Sequence, residues 1–175
     1  QAQLDALQAK IDNPNPARIA LLKWYSGTTV AVIPTPRANQ YTSAPFGLAF
    51  DGQNIWVTDY GKDGFGNSII KIRTSDGVIL GSFPTGEGPS QVVFDGEHIW
   101  ITYPGGRNDF NLQRIRATDG VSDGQYRIGM GPSGLAFDGG SIYTAHCFQN
   151  SVSQVSAYSG VLLRGYAVSG CPEGV

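Results

Sequence analysis

The sequence carries little charge, few cysteines and histidines, and no long apolar run. Only 15% of its 175 residues are charged, and the formal net charge is −2 at pH 7. So weak a charge provides no basic surface for nucleic acid and no electrostatic attraction to an acidic membrane. No apolar run approaches the roughly 18 residues that a membrane-spanning helix requires. We therefore expect neither a nucleic-acid partner nor a membrane span.

The scarcity of metal-ligating residues excludes the common metal sites. His98 and His146 occur in no HxxH, HExxH or CxxC spacing, whereas a zinc site needs a cluster of ligands. We expect His98, beside a predicted turn, to be solvated. Residues 129–134 match G-x-G-x-x-G, but Pro132 lies inside the match and a strand pattern rather than a helix follows it. No G-x-S-x-G nucleophile motif occurs either. The sequence therefore predicts no catalytic residue, no metal and no cofactor.

What the sequence does contain is an internal repeat. The repeat is marked by four prolines, which lie 44, 43 and 40 residues apart: Pro45, Pro89, Pro132 and Pro172. Repeats of that length are typical of propellers and solenoids. The copies read APFGLAFDGQNIWVT at 44–58, GPSQVVFDGEHIWIT at 88–102 and GPSGLAFDGGSIYTA at 131–145, and a fourth begins as CPEGV at 171.

Each repeat predicts two β-hairpins. The first consists of two apolar runs around an Asp-Gly pair, as in VVF-DG-EHIWI at 92–101. The second turns at Asp76-Gly77, Asp119-Gly120 and Ser159-Gly160. Four strands, here called a to d, in about 40–45 residues match one propeller blade. The runs lack strict apolar–polar alternation, which favours strands buried on both faces. We predict an all-β protein, a β-propeller of four-stranded antiparallel blades.

The blade count is incomplete at both ends. Residues 1–13 have apolar side chains at helical spacing and predict a short N-terminal α-helix, lying on its own subunit or docking on a neighbour as part of a coiled coil. Residues 14–40 form a linker and a half blade, a c–d hairpin, with an amphipathic helix over 19–25 as the alternative. Residues 41–175 hold three blades and end at the start of a further blade. About three and a half blades are fewer than the four to eight that close a propeller, and open edges recruit further strands.

The repeat G-P-x-x-x-x-F-D-G-x-x-I-W-V-T followed by I-x-K-I-R-x-x-D-G resembles the YVTN and NHL-like β-propeller repeats of bacterial proteins. The resemblance covers about residues 20–175 and implies the propeller fold, which serves many binding roles. It also suggests a propeller lyase resembling virginiamycin B lyase, which uses His and Glu from the central face. His98 falls at a turn position on another part of the repeat, and no His-x-Glu pair occurs.

The two cysteines fall at places that the predicted topology brings together. In an antiparallel meander, the b–c loops and the d–a connections share one face of the disc. Cys147 closes strand b of the third blade, and Cys171 lies in the next d–a connection. A disulfide between them would contribute roughly 3 kcal/mol and imply an oxidising compartment. Two unrelated buried thiols are the alternative.

The b–c loops on that face vary between repeats and mix aromatic with polar residues. Loops on a rigid scaffold commonly carry binding residues, so this face is the predicted binding surface. Aromatic residues folding back over the blade ends are an equally good interpretation. The residues concerned are Tyr60, Lys62 and Phe65 in the first loop, Tyr103, Arg107 and Phe110 in the second, and His146 and Phe148 in the third.

Taken together, these patterns predict a non-catalytic scaffold with protein partners. The partners are copies of itself, adjoining blades or other proteins, and the scaffold either presents its loop face or self-assembles. Low charge and abundant Tyr, Thr, Ser and Gly favour an extracellular or cell-surface location. The alternatives are a lyase of the propeller class and a recognition module for peptide or glycan.

Overall fold

In the computed structural model, residues 43–105 and 107–174 are described. The predicted N-terminal helix (1–13) and half blade (14–40) lie outside them. The described residues form three four-stranded antiparallel sheets, each a simple meander. The first sheet contains β1 (Pro45–Phe50), β2 (Asn54–Asp59), β3 (Ser68–Arg73) and β4 (Ile79–Pro84); the second β5 (Val92–Phe94), β6 (His98–Thr102), β7 (Leu112–Arg116) and β8 (Ser122–Tyr126); the third β9 (Pro132–Phe137), β10 (Ser141–His146), β11 (Ser151–Ser156) and β12 (Leu162–Ala167).

The Asp-Gly turns form because the aspartate replaces missing main-chain partners. Asp51 Oδ1 accepts hydrogen bonds from the amides of Gln53 and Asn54, at 2.9 and 2.7 Å. Asp95 and Asp138 accept the equivalent amides in the other sheets. This Asx-type turn closes each a–b hairpin without help from distant residues, which is why the hairpins could be predicted.

The core lies between the sheets. One cluster of buried side chains, which includes Trp56, Ile69 and Ile99, joins the first sheet to the second. Another, which includes Trp100, Leu112 and Ile142, joins the second to the third. The second sheet is therefore covered on both faces, and Ile99, Trp100 and Ile101 are all fully buried. This explains the lack of alternation in the sequence and confirms stacked blades.

A repeated polar arrangement crosses each of these two interfaces. The indole N–H of Trp56 donates to Asp51 at 2.8 Å, and the ammonium of Lys71 lies 4.8 Å from the centroid of that indole ring. Lys71 then donates to the carbonyl of Ala117, in the c–d turn of the second sheet, at 2.7 Å. A cation on one sheet thus ties down the turn of the next.

The second interface repeats the arrangement with an arginine. The Trp100 indole donates to Asp95 at 2.7 Å, and the guanidinium of Arg114 lies 5.5 Å from the ring centroid. Arg114 donates to the carbonyls of Ala157 and Tyr158 in the third sheet, at 3.2 and 2.9 Å. The arrangement is therefore a property of the repeat rather than of one blade.

His98 is not the solvated turn residue that the sequence predicted. It begins β6, its side chain is only 15% exposed, and its ring lies between two carboxylates. Nδ1 is 3.4 Å from Asp95 and Nε2 is 3.3 Å from Asp123. The prediction failed because Asp123 comes from β8, at the far edge of the sheet. Within the described residues, no helix is long and apolar enough to cross a membrane.

Candidate binding face

The b–c loops and the d–a connections meet on one face of the stack. The amide of Gly88, in the first connection, donates to the carbonyl of Gly66 in the first loop at 2.8 Å. The side chain of Asn108, in the second loop, accepts from the amide of Glu87 and donates to its carbonyl, at 2.9 and 2.8 Å. Each loop is therefore held by the connection beside it.

The first two loops are joined through Arg107. Its guanidinium lies 4.1 Å from the centroid of the Phe65 ring and donates to the carbonyl of Gly64 at 2.9 Å. Tyr60 packs on Phe46, with ring centroids 5.4 Å apart, and Lys62 is exposed. Three of these predicted residues, Tyr60, Phe65 and Arg107, thus support the loops themselves, as the alternative interpretation of the sequence proposed.

Two residues assigned to the binding loops are buried. Tyr103 is 1% exposed; its hydroxyl donates to Gln113, and its ring meets Phe110 edge-on at 5.2 Å. Burial raises the pKa of the Tyr103 phenol. His146 is also fully buried. Neither side chain offers appreciable surface to a partner, because each ring turns inwards although its residue lies at or just after the end of its strand.

His146 is buried at the end of β10. Its Nε2 is 2.8 Å from the hydroxyl of Thr144, and its Nδ1 has no hydrogen-bond partner among the described residues. Burial penalises the charged imidazolium and lowers the pKa of His146 below its usual value near 6.5. Burial therefore favours the neutral imidazole.

The structure pairs Cys147 with Cys171 in a disulfide, across 24 residues of sequence. Cys147 begins a 3₁₀ turn, Cys147–Gln149, and Cys171 follows the third sheet. Next to Cys171, the carbonyl of Pro172 accepts a hydrogen bond from the hydroxyl of Ser133 at 2.7 Å. The C-terminal described residues are thereby fixed against the third sheet at the loop face.

A cavity of about 480 Å³ opens on this face between the second and third sheets. Its apolar wall includes Met130 and Phe148, whose side chains are 66% and 78% exposed. Its polar rim includes Arg127 and Asp109, an exposed ion pair at 3.4 Å. An apolar wall with a polar rim is the usual composition of a binding cavity.

The walls of this cavity are fixed by hydrogen bonds. Asn111 accepts from the amide of Ile128 at 2.9 Å and donates to the carbonyl of Gly129. Gln149 accepts from the amide of Met130 at 2.9 Å. The ring of Phe148 lies so close over Gly131 that a Cβ at that position would overlap it. The exposed apolar side chains are therefore presented by ordered main chain.

Of the loop residues that the sequence singled out, Tyr103, Phe110 and Phe148 line this cavity, whereas Met130, Arg127 and Asn111 were missed. Met130 is the one methionine of the chain, and its place in a d–a connection was the available signal, since those connections share the face of the loops. Neither histidine lines the cavity. Among the described residues, no group of three or more His, Cys, Asp or Glu could hold a metal ion.

The sequence matches no family model and no curated protein. Several solved structures are similar in shape. Hydrazine synthase from Kuenenia stuttgartiensis has a TM-score of 0.65 at 16% identity, over 87% of this chain and 42% of that one. A streptogramin B lyase has a TM-score of 0.58 at 22% identity, over 78% and 43%. The Pan2 WD40 domain from Neurospora crassa has a TM-score of 0.62 at 12% identity, over 78% and 44%.

These similarities agree with the sheet stacking and show the fold. The described residues are blades of a β-propeller, and the chain spans less than half the length of each of the three chains named. At such identities the similarity does not extend to activity. The finer assignment to YVTN and NHL-like repeats stays a prediction.

Proposed function

We propose that the chain is a non-catalytic β-propeller scaffold that binds a protein segment in the cavity between its second and third sheets. The observation that supports this most is the pair Met130 and Phe148, exposed yet held in place. An ordered main chain reduces the entropy that is lost on binding, and Phe and Met are both enriched at protein interfaces. The occupant would be a peptide with an apolar anchor residue.

The composition of the rim also favours a protein partner. Arg127 and Asp109 carry opposite charges beside the apolar wall, so the cavity has no strong preference for an anion or a cation. A polar rim around an apolar centre is the usual anatomy of a protein interface. Arg127, Asp109 and Asn108 can form hydrogen bonds with the main chain of a bound peptide, which would fix its direction.

The disulfide supports an extracellular or cell-surface location as part of this proposal. Cys147–Cys171 would persist in an oxidising environment and be reduced in a cytosolic one. Because the pair lies at the loop face, the same bond orders the loop that carries Phe148. The proposed binding function and the proposed location thus depend on one covalent link.

The lyase alternative has less support. The similarity to streptogramin B lyase is in fold, at 22% identity. A general acid or base must reach its substrate, yet His146 is buried and His98 is held between Asp95 and Asp123. An unchanged streptogramin B after incubation with the purified protein would agree with the scaffold proposal, and turnover would refute it.

Peptide selection tests the binding proposal. A library of linear peptides is displayed and selected on the immobilised protein, and the recovered peptides are titrated in solution. We expect peptides with one aromatic or long aliphatic residue, and Phe148→Ser should weaken their binding about thirtyfold, as for a central interface residue.

Tyr158→Ser is the matched control. Tyr158 is 93% exposed, belongs to the same sheet, and lies on a c–d turn at the opposite face, so this change should leave the affinity unaltered. Equal losses in the two variants, or peptides that bind without an apolar residue, would contradict a binding site in this cavity.

A further inference from the structure

Strand β12 has an exposed outer edge. It pairs with β11 on one side, and every residue from 161 to 170 is exposed. The amide of Val168 donates to the carbonyl of Asn150. Main-chain groups alternate in direction along an antiparallel strand, so Arg164 and Tyr166 also direct theirs to β11, whereas Gly165 and Ala167 direct theirs outwards. A register irregularity interrupts the alternation between Arg164 and Leu162.

The other two outer strands are protected where β12 is not. β4 ends at Pro84. Thr85 donates to the carbonyl of Asn67, so Pro84 occupies an outward-facing position, where it has no N–H to offer. β8 has the polar sequence SDGQY. β12 reads LLRGYA and combines apolar side chains with outward main-chain groups that have no partner among residues 43–105 and 107–174. Such an edge is a template for another strand.

We propose that β12 pairs with β12 of a second copy of this chain, antiparallel and about a two-fold axis at Gly165. This register places Gly165 opposite its counterpart. Gly165 and Ala167, in the regular part of the strand, then exchange main-chain hydrogen bonds with the partner copy. The interface is isologous, since the same strand serves on both sides.

Side chains decide the register. Only residues of the same main-chain direction can stand opposite one another, so the two neighbouring registers centre on Tyr166 and on Arg164. The first places Arg164 opposite Val168, away from the phenol ring, and the second opposes the two arginines. Like charges directly opposite are destabilising. With the axis at Gly165, Arg164 stands opposite Tyr166 of the partner copy. A guanidinium beside a phenol ring is favourable, and this pair occurs twice.

Gly165 gives this register a direct test. A Cβ at Gly165 meets nothing within 4 Å, so Gly165→Cys should fold normally. Hydrogen-bonded residues directly opposite have Cα atoms about 5.5 Å apart, which a disulfide can bridge. We expect a covalent dimer to form under mild oxidation. Ser82→Cys and Gln125→Cys, at the same position of β4 and β8, are matched controls and should remain monomeric.

A second variant tests the side-chain pairing. Tyr166→Lys puts a lysine opposite Arg164 of the partner copy, twice per dimer, and should weaken the dimer about tenfold. Tyr158→Lys adds the same charge to the same sheet away from the edge and should not. The dimer constant is measured by sedimentation equilibrium up to millimolar concentration, because so small an interface predicts weak association.

The possible results either support or overturn pairing of β12 with a second copy. Concentration-dependent dimerisation, cross-linking specific to Gly165→Cys and sensitivity to Tyr166→Lys together support the proposal. A wild-type protein that is monomeric at every concentration overturns it. So does cross-linking of Gly165→Cys no faster than that of the two controls, or a dimer that Tyr166→Lys leaves intact. None of these readouts depends on occupation of the loop-face cavity.

Discussion

At the scale of single residues, His146 makes stability depend on pH. Its pKa is lowered by burial, so the unfolded chain binds a proton near pH 6.5 while the folded chain does not. Above about pH 6.5, His146 does not lower the free energy of unfolding. As the pH drops from there towards the folded-state pKa, the free energy of unfolding falls by at most about 1.4 kcal/mol per pH unit. Urea unfolding between pH 8 and pH 5 would show this decline, and His146→Gln should remove most of it.

His98→Gln is the comparison that isolates the effect. It removes the other histidine but leaves the buried imidazole in place, so the decline between pH 6.5 and pH 5 should remain. The aspartates whose pKa is lowered by hydrogen bonds, such as Asp138 with its turn amides, titrate well below this window. A His146→Gln protein that keeps the full decline would show that the slope originates elsewhere.

At the scale of elements, the side chain of Arg114 crosses from the second sheet to the third, whereas Gln154, at the same position of the third sheet, does not leave its own sheet. We expect Arg114 to contribute more to the free energy of unfolding than Gln154. Arg114→Met removes the hydrogen bonds to Ala157 and Tyr158, the cation above Trp100, and the ion pair with Asp123 in its own sheet. We expect a loss of about 2 kcal/mol in the free energy of unfolding. Thermal or urea unfolding monitored by tryptophan fluorescence measures it.

Gln154→Met is the matched change in the third sheet. Gln154 stands opposite Tyr143 as Arg114 stands opposite Trp100, but it bonds within its own sheet, to Ser141 and Tyr166. We expect this variant to lose less than about 1 kcal/mol. Equal losses would mean that the arginine stabilises its own sheet rather than the interface.

At the scale of the whole molecule, the sequence predicts what is local and periodic. The a–b hairpins depend on an aspartate and the next three residues, so three copies of one pattern sufficed to predict three blades. Lys71 and Ala117 are 46 residues apart, and nothing in either neighbourhood signals their hydrogen bond. His98 was misassigned for the same reason. Tyr103 follows the last strand residue and looks like a loop residue, yet its ring turns inwards to Gln113.

The candidate site was harder to predict because no single repeat contains it. Phe148 comes from the third loop, Asn111 from the second and Met130 from the connection between them. Each alone resembles an ordinary loop residue. Knowing that loops and connections share a face predicted the surface, but the cavity depends on side-chain bonds such as that between Gln149 and Met130. Those bonds arise only once the sheets have stacked.

The disulfide connects the stability of the whole molecule with its proposed binding site. It closes a 24-residue separation, and cross-linking a loop of that size removes enough unfolded-state entropy to contribute about 3 kcal/mol. We expect Cys147→Ser with Cys171→Ser to lower the free energy of unfolding by about that amount. Because the bond also anchors the turn bearing Phe148, the selected peptides should bind more weakly even at temperatures where the variant is fully folded. Unfolding curves and peptide titrations with and without reductant measure the two effects separately. A variant that loses stability but keeps its affinity would place the function of the disulfide in folding alone.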